Sequence, residues 1–381
     1  MEKETINRQS NFELLRIFAM FIIIWNHLCN SIWLSYNSAI DFNLVISKSF
    51  YVWTGNLGNY LFILISGYFV SNSRFSWKKV FKLWFQIFST SIIIGVCFYL
   101  FKISKITGNV DGLGFYNSNT ELNITKNVFS IKDLFRSIFP TLLGNNWFAS
   151  AYLLFYLFTP FLNEVLRVLD KTKHKNLIIL MVIVGTVIYM IPNQGIFESN
   201  NLFYFILAYF IANYIKLYDP IILKNQKCNL FLSLIFIVSF VCWIILILFL
   251  SKRFPFISKD FTRFFCYPFA LNRFPILLCS IFVFCFFRNL QIKYNKLINQ
   301  FAGTTFGVYL IHENLFLKGV LWHEIFSIDK YIDSKWLLFY MLFIVSMTFF
   351  CCSIIDLFRS RYIEKPMLNI LDKVMKTNAR K

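Results

Sequence analysis

The sequence predicts an all-α polytopic membrane protein with about ten transmembrane helices and both termini in the cytoplasm. Three observations carry that prediction. Of 381 residues, 57% are hydrophobic and only 15% are charged, where an ordinary soluble domain runs at about 25% charged. The apolar residues gather in blocks of about 20, the length that crosses a bilayer's hydrocarbon core. Lys and Arg number 38 against 19 Asp and Glu, a net charge of +19, and they favour alternate gaps between the blocks. This excludes a disordered chain, a disulfide scaffold and a soluble enzyme. The whole of 1–381 reads as one integral-membrane domain with no separate soluble domain.

The blocks follow in order. Block 12–31 opens on Ser10-Asn11-Phe12-Glu13, the spacing of a capping box in which Ser10 caps the first turn and Glu13 reaches back. It lacks a small-residue cleavage site and reads as a mature helix. Block 51–71 closes on Ser66-Gly67-Tyr68-Phe69, and Arg74, Lys78, Lys79 and Lys82 follow. Block 79–101 comes next. The stretch 102–144 is the longest piece between blocks, and its end, 131–139, is amphipathic enough to lie along the interface. Block 145–166 opens on Asn145-Asn146-Trp147-Phe148-Ala149-Ser150. Those polar groups could face a substrate, or Trp147 could be an interfacial anchor. Blocks 176–192, 201–217, 229–250 and 270–288 lead to 299–320. Block 335–358 ends near Arg361-Tyr362-Ile363-Glu364-Lys365-Pro366. Proline stops a helix there, and a salt-bridged helix end is the plain reading.

With the amino terminus inside, 23 of the 38 basic residues fall in cytoplasmic segments, 14 outside, and Arg16 within the first block. Cytoplasmic loops collect Lys and Arg, and long loops follow the rule less strictly. The outer stretches 102–136 and 251–273 hold five basic residues each and could meet an anionic substrate. A basic chain can also bind nucleic acid, but topology explains this charge without it. The nine Cys sit mostly within apolar blocks, with no CxxC and no Cys/His spacing for a metal.

An ionisable side chain within a membrane span is costly and marks a functional candidate. Arg16 and His27 lie 11 residues apart on the first block. That spacing puts them within about 20° of one line and about 16 Å apart along the axis. Arg suits a phosphate at the mouth, and His moves protons near neutral pH. The bland alternatives are a snorkelling Arg16 and a His27 merely bonded within the bundle. The Arg74, Lys78, Lys79 and Lys82 cluster would suit the phosphates of a nucleotide cofactor, or be an ordinary positive-inside loop. In Gly303–Asn314, Tyr309 and His312 share a face. Glu313 points about 100° away from His312 and need not pair with it. A polar seam between helices is the alternative. His174 reads as solvated, and His323, at an outer edge, has no assigned role. No Walker loop, HExxH or GxSxG occurs, which disfavours ATP-driven pumping, zinc proteolysis and serine hydrolysis.

Taken in order, these landmarks resemble the integral-membrane acyltransferase family three, whose members acetylate cell-surface carbohydrates. The matching elements are Arg16 and His27, Ser66-Gly67-Tyr68-Phe69, Phe75-Ser76-Trp77-Lys78-Lys79, Trp147-Phe148-Ala149-Ser150-Ala151-Tyr152 with Pro160, Gly307-Val308-Tyr309-Leu310-Ile311-His312, and Glu364-Lys365-Pro366. The resemblance implies a cytosolic acetyl-CoA donor, a glycan hydroxyl acceptor at the outer face, and the plasma membrane of a bacterial-type cell. It makes His27 the catalytic base and puts Arg16 on the CoA side. Arg74, Lys78, Lys79 and Lys82 would hold CoA phosphates. Asn26, Trp147, Tyr309, His312 and Glu313 become substrate-side or supporting residues. No metal is implied, and a homo-oligomer stays open. Many members carry arginines where this chain has Lys82, Leu83, Trp84 and Gln86. Another branch has Glu where Tyr152 stands, so the chain resembles the branch found beside capsule or wall polysaccharide genes. The extracytoplasmic hydrolase-like domain of some members is not expected. The competing class is a transporter or flippase of a lipid-linked sugar, which needs midplane polar residues but no phosphate cluster aligned with a His.

Overall fold

The computed structural model describes residues 9–35, 42–71, 73–107, 125–141, 146–190, 201–259, 269–271 and 273–378. The helices are α1 (Ser10–Ser35), α2 (Phe42–Val70), α3 (Trp77–Leu100), α4 (Ile131–Ile138), α5 (Trp147–Val168), α6 (Lys171–Val182), α7 (Asn201–Tyr218) and α8 (Gln226–Arg253). They continue as α9 (Phe274–Arg288), α10 (Lys296–Ala302), α11 (Thr305–His312), α12 (Leu337–Arg359) and α13 (Lys365–Asn378). A two-stranded antiparallel hairpin, β1 (Ser104–Thr107) and β2 (Thr125–Val128), interrupts this helical run. Every predicted block falls largely on helical residues. Among the described residues, five helical stretches are long and apolar enough to cross a membrane by length and composition: Ser10–Ile32, Trp77–Leu100, Trp147–Val168, Gln226–Arg253 and Leu337–Met375.

The first helix is the hub. It packs against α2, α9, α10, α11 and α12, and Leu15, Ala19, Ile24, Leu28 and Cys29 are fully enclosed. Lipid tails are as apolar as leucine, so close helix approach depends on small residues at the crossing. Gly58 fills that role on α2: a Cβ there would lie 2.5 Å from Ile23. Gly67, farther along α2, lies against the Tyr209 backbone of α7, and Asn213 Nδ2 donates to its carbonyl at 3.2 Å. Around this centre α8 and α12 turn Phe231, Ile245, Phe249, Phe339 and Phe343 outward, the pattern of a lipid-facing shell.

Several boundaries differ from expectation. The capping box at Ser10 does not form. The Ser10 hydroxyl donates to Asn299 Oδ1 of α10 at 3.1 Å and accepts from the Asn295 backbone N–H at 2.9 Å, while Glu13 turns to Arg16. A long-range partner has taken the hydroxyl. Block 299–320 is not one helix. It breaks at Gly303-Thr304 and again after His312, where Asn314 Oδ1 accepts from the Phe316 N–H, a local turn that competes with helix continuation. Block 176–192 passes from α-helix into a π turn, Ile183–Val187, and a short 3₁₀ turn. Helix α2 begins at Phe42, nine residues before the predicted block.

The amphipathic α4 is closed by a capping box between Ser130 and Asp133. Two of its polar residues are buried: Ser137 lies against Gly95 of α3, and Lys105 Nζ reaches Asp133 at 2.7 Å. Ile131, Phe135 and Phe139 face outward, as a helix in the membrane interface requires. His174 was expected in solvent but is buried under α7. Its Nε2 donates to the Phe210 carbonyl at 3.0 Å, and its ring stands edge-on to Tyr214.

Candidate active site

A polar cluster joins α1 to the end of α11. Residues Thr305 and Gly307–His312 of α11 are all buried. Its last turn presents His312, whose Nδ1 lies 2.6 Å from the Val308 carbonyl oxygen. A carbonyl only accepts, so Nδ1 carries the hydrogen, and Nε2 of the neutral ring is an acceptor. His27 Nδ1 stands 2.9 Å from that Nε2 and 3.2 Å from Glu313 Oε2. Both neighbours accept, so His27 Nδ1 must be the protonated nitrogen. Its other nitrogen, Nε2, then holds a free lone pair. The cluster therefore fixes His27 in the tautomer of a general base.

Glu313 reaches His27 because α11 has already ended. At φ −95° and ψ 8° it caps the helix rather than extending it. The 100° separation from His312 expected within a helix does not apply. Lys318 Nζ holds the other carboxylate oxygen at 2.8 Å, so Glu313 is fixed from both sides. Tyr309 stands with its ring centre 6.4 Å from that of His27. Its hydroxyl is buried and approaches the Phe148 backbone N–H at the start of α5 without closing a hydrogen bond.

The other predicted residues fall in different places. Asn26 turns away from the cluster: its Nδ2 donates to the Tyr51 carbonyl, and its side chain packs on Gly55 of α2. Trp147 is exposed at the start of α5, and it is Phe148 that reaches Tyr309, with ring centres 5.7 Å apart. Asn145 lies outside the described residues. Arg16, 11 residues before His27, forms an ion pair with Glu13 at 3.1 Å and remains partly accessible.

Of the basic cluster, Arg74 and Lys79 are exposed. Lys78 pairs with Asp372 at 2.6 Å, and Lys82 lies 3.5 Å from Glu364. A groove of about 360 Å³ between α3 and α13, lined by Trp77, Phe81, Trp84, Leu371 and Met375, runs beside Lys78. Glu364 belongs to a buried knot the sequence reading missed. Arg359 bonds Asp356 Oδ1 at 2.8 Å, Glu364 Oε2 at 2.8 Å and the Ser89 hydroxyl at 3.3 Å. The salt-bridged helix end is real, but its cation is Arg359 and not Arg361. Gly307 makes room for the knot, since a Cβ there would fall 2.0 Å from Asp356 Cγ.

No group of three His, Cys, Asp or Glu side chains among the described residues could hold a metal. A family model described as an acyltransferase domain matches residues 9–356. No curated protein and no solved structure matches the chain.

Proposed function

The chain belongs to the integral-membrane acyltransferase family three, and from that premise we propose that it moves an acetyl group from cytosolic acetyl-CoA to a hydroxyl of a cell-surface or capsular polysaccharide. The observation that carries the reading is His27, held by His312 and Glu313 with Nε2 free. The acceptor hydroxyl bonds to the thioester carbonyl carbon as its proton passes to His27 Nε2. The C–S bond breaks, and the sulfur takes the proton from His27 to leave as the CoA thiol. Glu313 steadies the imidazolium between those steps. A base so placed contributes about 10²- to 10⁴-fold.

In this reading ten crossings put both termini in the cytoplasm, in the plasma membrane of a bacterial-type cell. Arg16 lies toward the cytosolic mouth, where Arg74 and Lys79 offer charge to CoA phosphates, and the aromatic groove beside Lys78 offers a flat wall. The pantetheine arm threads along α1 so that only the acyl end reaches His27. A flippase would need no base in a fixed tautomer.

The test is transfer of isotopically labelled acetyl from acetyl-CoA to surface glycan in membranes carrying His27→Ala. Transfer should be lost while the protein still inserts and is thermally stabilised by CoA. Full transfer in that variant would sink the reading.

A further inference from the structure

A second histidine cluster lies at the end of α1 opposite Arg16. Ser31 is buried four residues beyond His27, which places it about 6 Å farther along the axis and within about 40° of the same face. Its hydroxyl oxygen stands 3.0 Å from His323 Nε2. His323 Nδ1 stands 2.8 Å from one Asp329 carboxylate oxygen and 3.1 Å from the other. An ionised carboxylate only accepts, so Nδ1 carries the hydrogen and Nε2 accepts from the Ser31 hydroxyl. Nucleophile, base and orienting acid are thus in sequence along one hydrogen-bonded line, the arrangement that activates a serine on unrelated folds.

Two irregularities build this line. His323 sits in a π turn, Val320–Ile325, a form often found at functional sites. Ser327 then takes φ 46° and ψ 45°, a conformation side-chain-bearing residues avoid, and the chain turns back to bring Asp329 to the ring. The Ser31 and His323 side chains are largely enclosed, whereas Asp329 is 42% accessible.

We propose that Ser31 is a covalent way-station for the acyl group, so that transfer occurs in two halves. This rests on the acyl-transfer reading above and replaces its single displacement on the thioester with two, His27 still taking the acceptor's proton. In the first half, Ser31 Oγ bonds to the thioester carbonyl carbon and its proton passes to His323 Nε2. The C–S bond breaks, and the sulfur takes that proton and leaves as the CoA thiol. In the second half, an acceptor hydroxyl bonds to the same carbon and its proton passes to His27 Nε2. The C–Oγ bond breaks, and the proton returns to Ser31 Oγ.

The experiment uses purified full-length protein and two probes, labelled acetyl-CoA without acceptor and a fluorophosphonate. Each should leave an adduct on the Ser31 peptide, and acetyl-CoA alone should release one equivalent of CoA thiol per chain. Ser31→Ala removes both adducts. His323→Gln slows both by about 10²-fold or more, the worth of a general base. His27→Ala still forms acetyl-Ser31 but cannot pass it on, so the adduct accumulates. A phosphonyl adduct on Ser31 with no acetyl adduct keeps the serine nucleophile and removes acetyl-CoA as the donor. Wild-type transfer by Ser31→Ala, or active protein with neither adduct on Ser31, overturns the proposal and leaves the His27 reading standing.

Discussion

At His27, two acceptors converge on one ring nitrogen. Val308 fixes the His312 proton, and His312 then fixes that of His27, with Glu313 alongside. In a catalytic triad, changing the acid to its amide costs about 10⁴-fold because the histidine takes the wrong tautomer. Here His312 still requires His27 Nδ1 to donate. Glu313→Gln should therefore remove only the stabilisation of the imidazolium and lower kcat by about 10²-fold, with KM for acetyl-CoA little changed. Steady-state kinetics in detergent check this, and a 10⁴-fold loss would mean that Glu313 alone sets the tautomer. Sequence spacing singled out His27, Tyr309, His312 and Glu313, which the structure brings together, because polar residues stand out against an apolar helix; Arg16, also singled out, pairs with Glu13 instead. Spacing missed how the cluster pairs, because the helix ends between His312 and Glu313. It missed Ser31 with His323 entirely, since 292 residues separate the partners and a serine near a helix end carries no signal of its own.

Helix ends and breaks do most of the positioning at the next scale. Gly303-Thr304 and Asn314 cut the predicted ninth span, and the short α11 between them is pinned to α12 by a hydrogen bond between the Thr304 and Ser353 hydroxyls at 2.9 Å, Thr304 accepting because its own hydrogen goes to the Phe301 carbonyl. Periodicity reports that a block is apolar, but not whether it is one rod, so this break was illegible. Gly307 sets how near α11 comes to the Asp356–Arg359–Glu364 knot. Gly307→Ala would drive a methyl into a carboxylate that Arg359 holds in place, at a cost of about 1–3 kcal/mol. A thermal midpoint unchanged by this substitution would contradict the packing. The contact between α6 and α7 carries a pH dependence. Burial lowers the pKa of His174 below its ordinary value of 6.5, and its Nδ1 is buried without a partner. The unfolded chain therefore binds a proton near pH 6.5 that the folded chain refuses. Stability from this site is intact above that value and falls as pH drops below it. His174→Phe, which keeps the ring but cannot titrate, should flatten the fall in melting temperature between pH 7 and 5.

Across the whole molecule, the proposed transfer depends on two unlike ends. Arg16, the Arg74–Lys82 cluster and the Arg359 knot lie at one end of the bundle, and Ser31, His323 and Asp329 lie at the other. A base between them serves transfer across the membrane only if the first end faces the cytosol. Charge favours that orientation as a bias, because basic side chains resist translocation in short loops. The bias is diluted by basic residues in the long outer stretches, parts of which lie outside the described residues. Orientation is therefore best tested chemically. Lys173 lies in the first turn of α6, and Lys330 in the segment before α12, and both are exposed. In intact cells carrying the protein with its native cysteines replaced, a membrane-impermeant maleimide should label Lys330→Cys and spare Lys173→Cys until the membrane is opened. The reverse pattern would put the end proposed to receive CoA outside the cell, where no thioester donor is supplied. It would remove the basis for transfer outward along α1, whatever the geometry at His27.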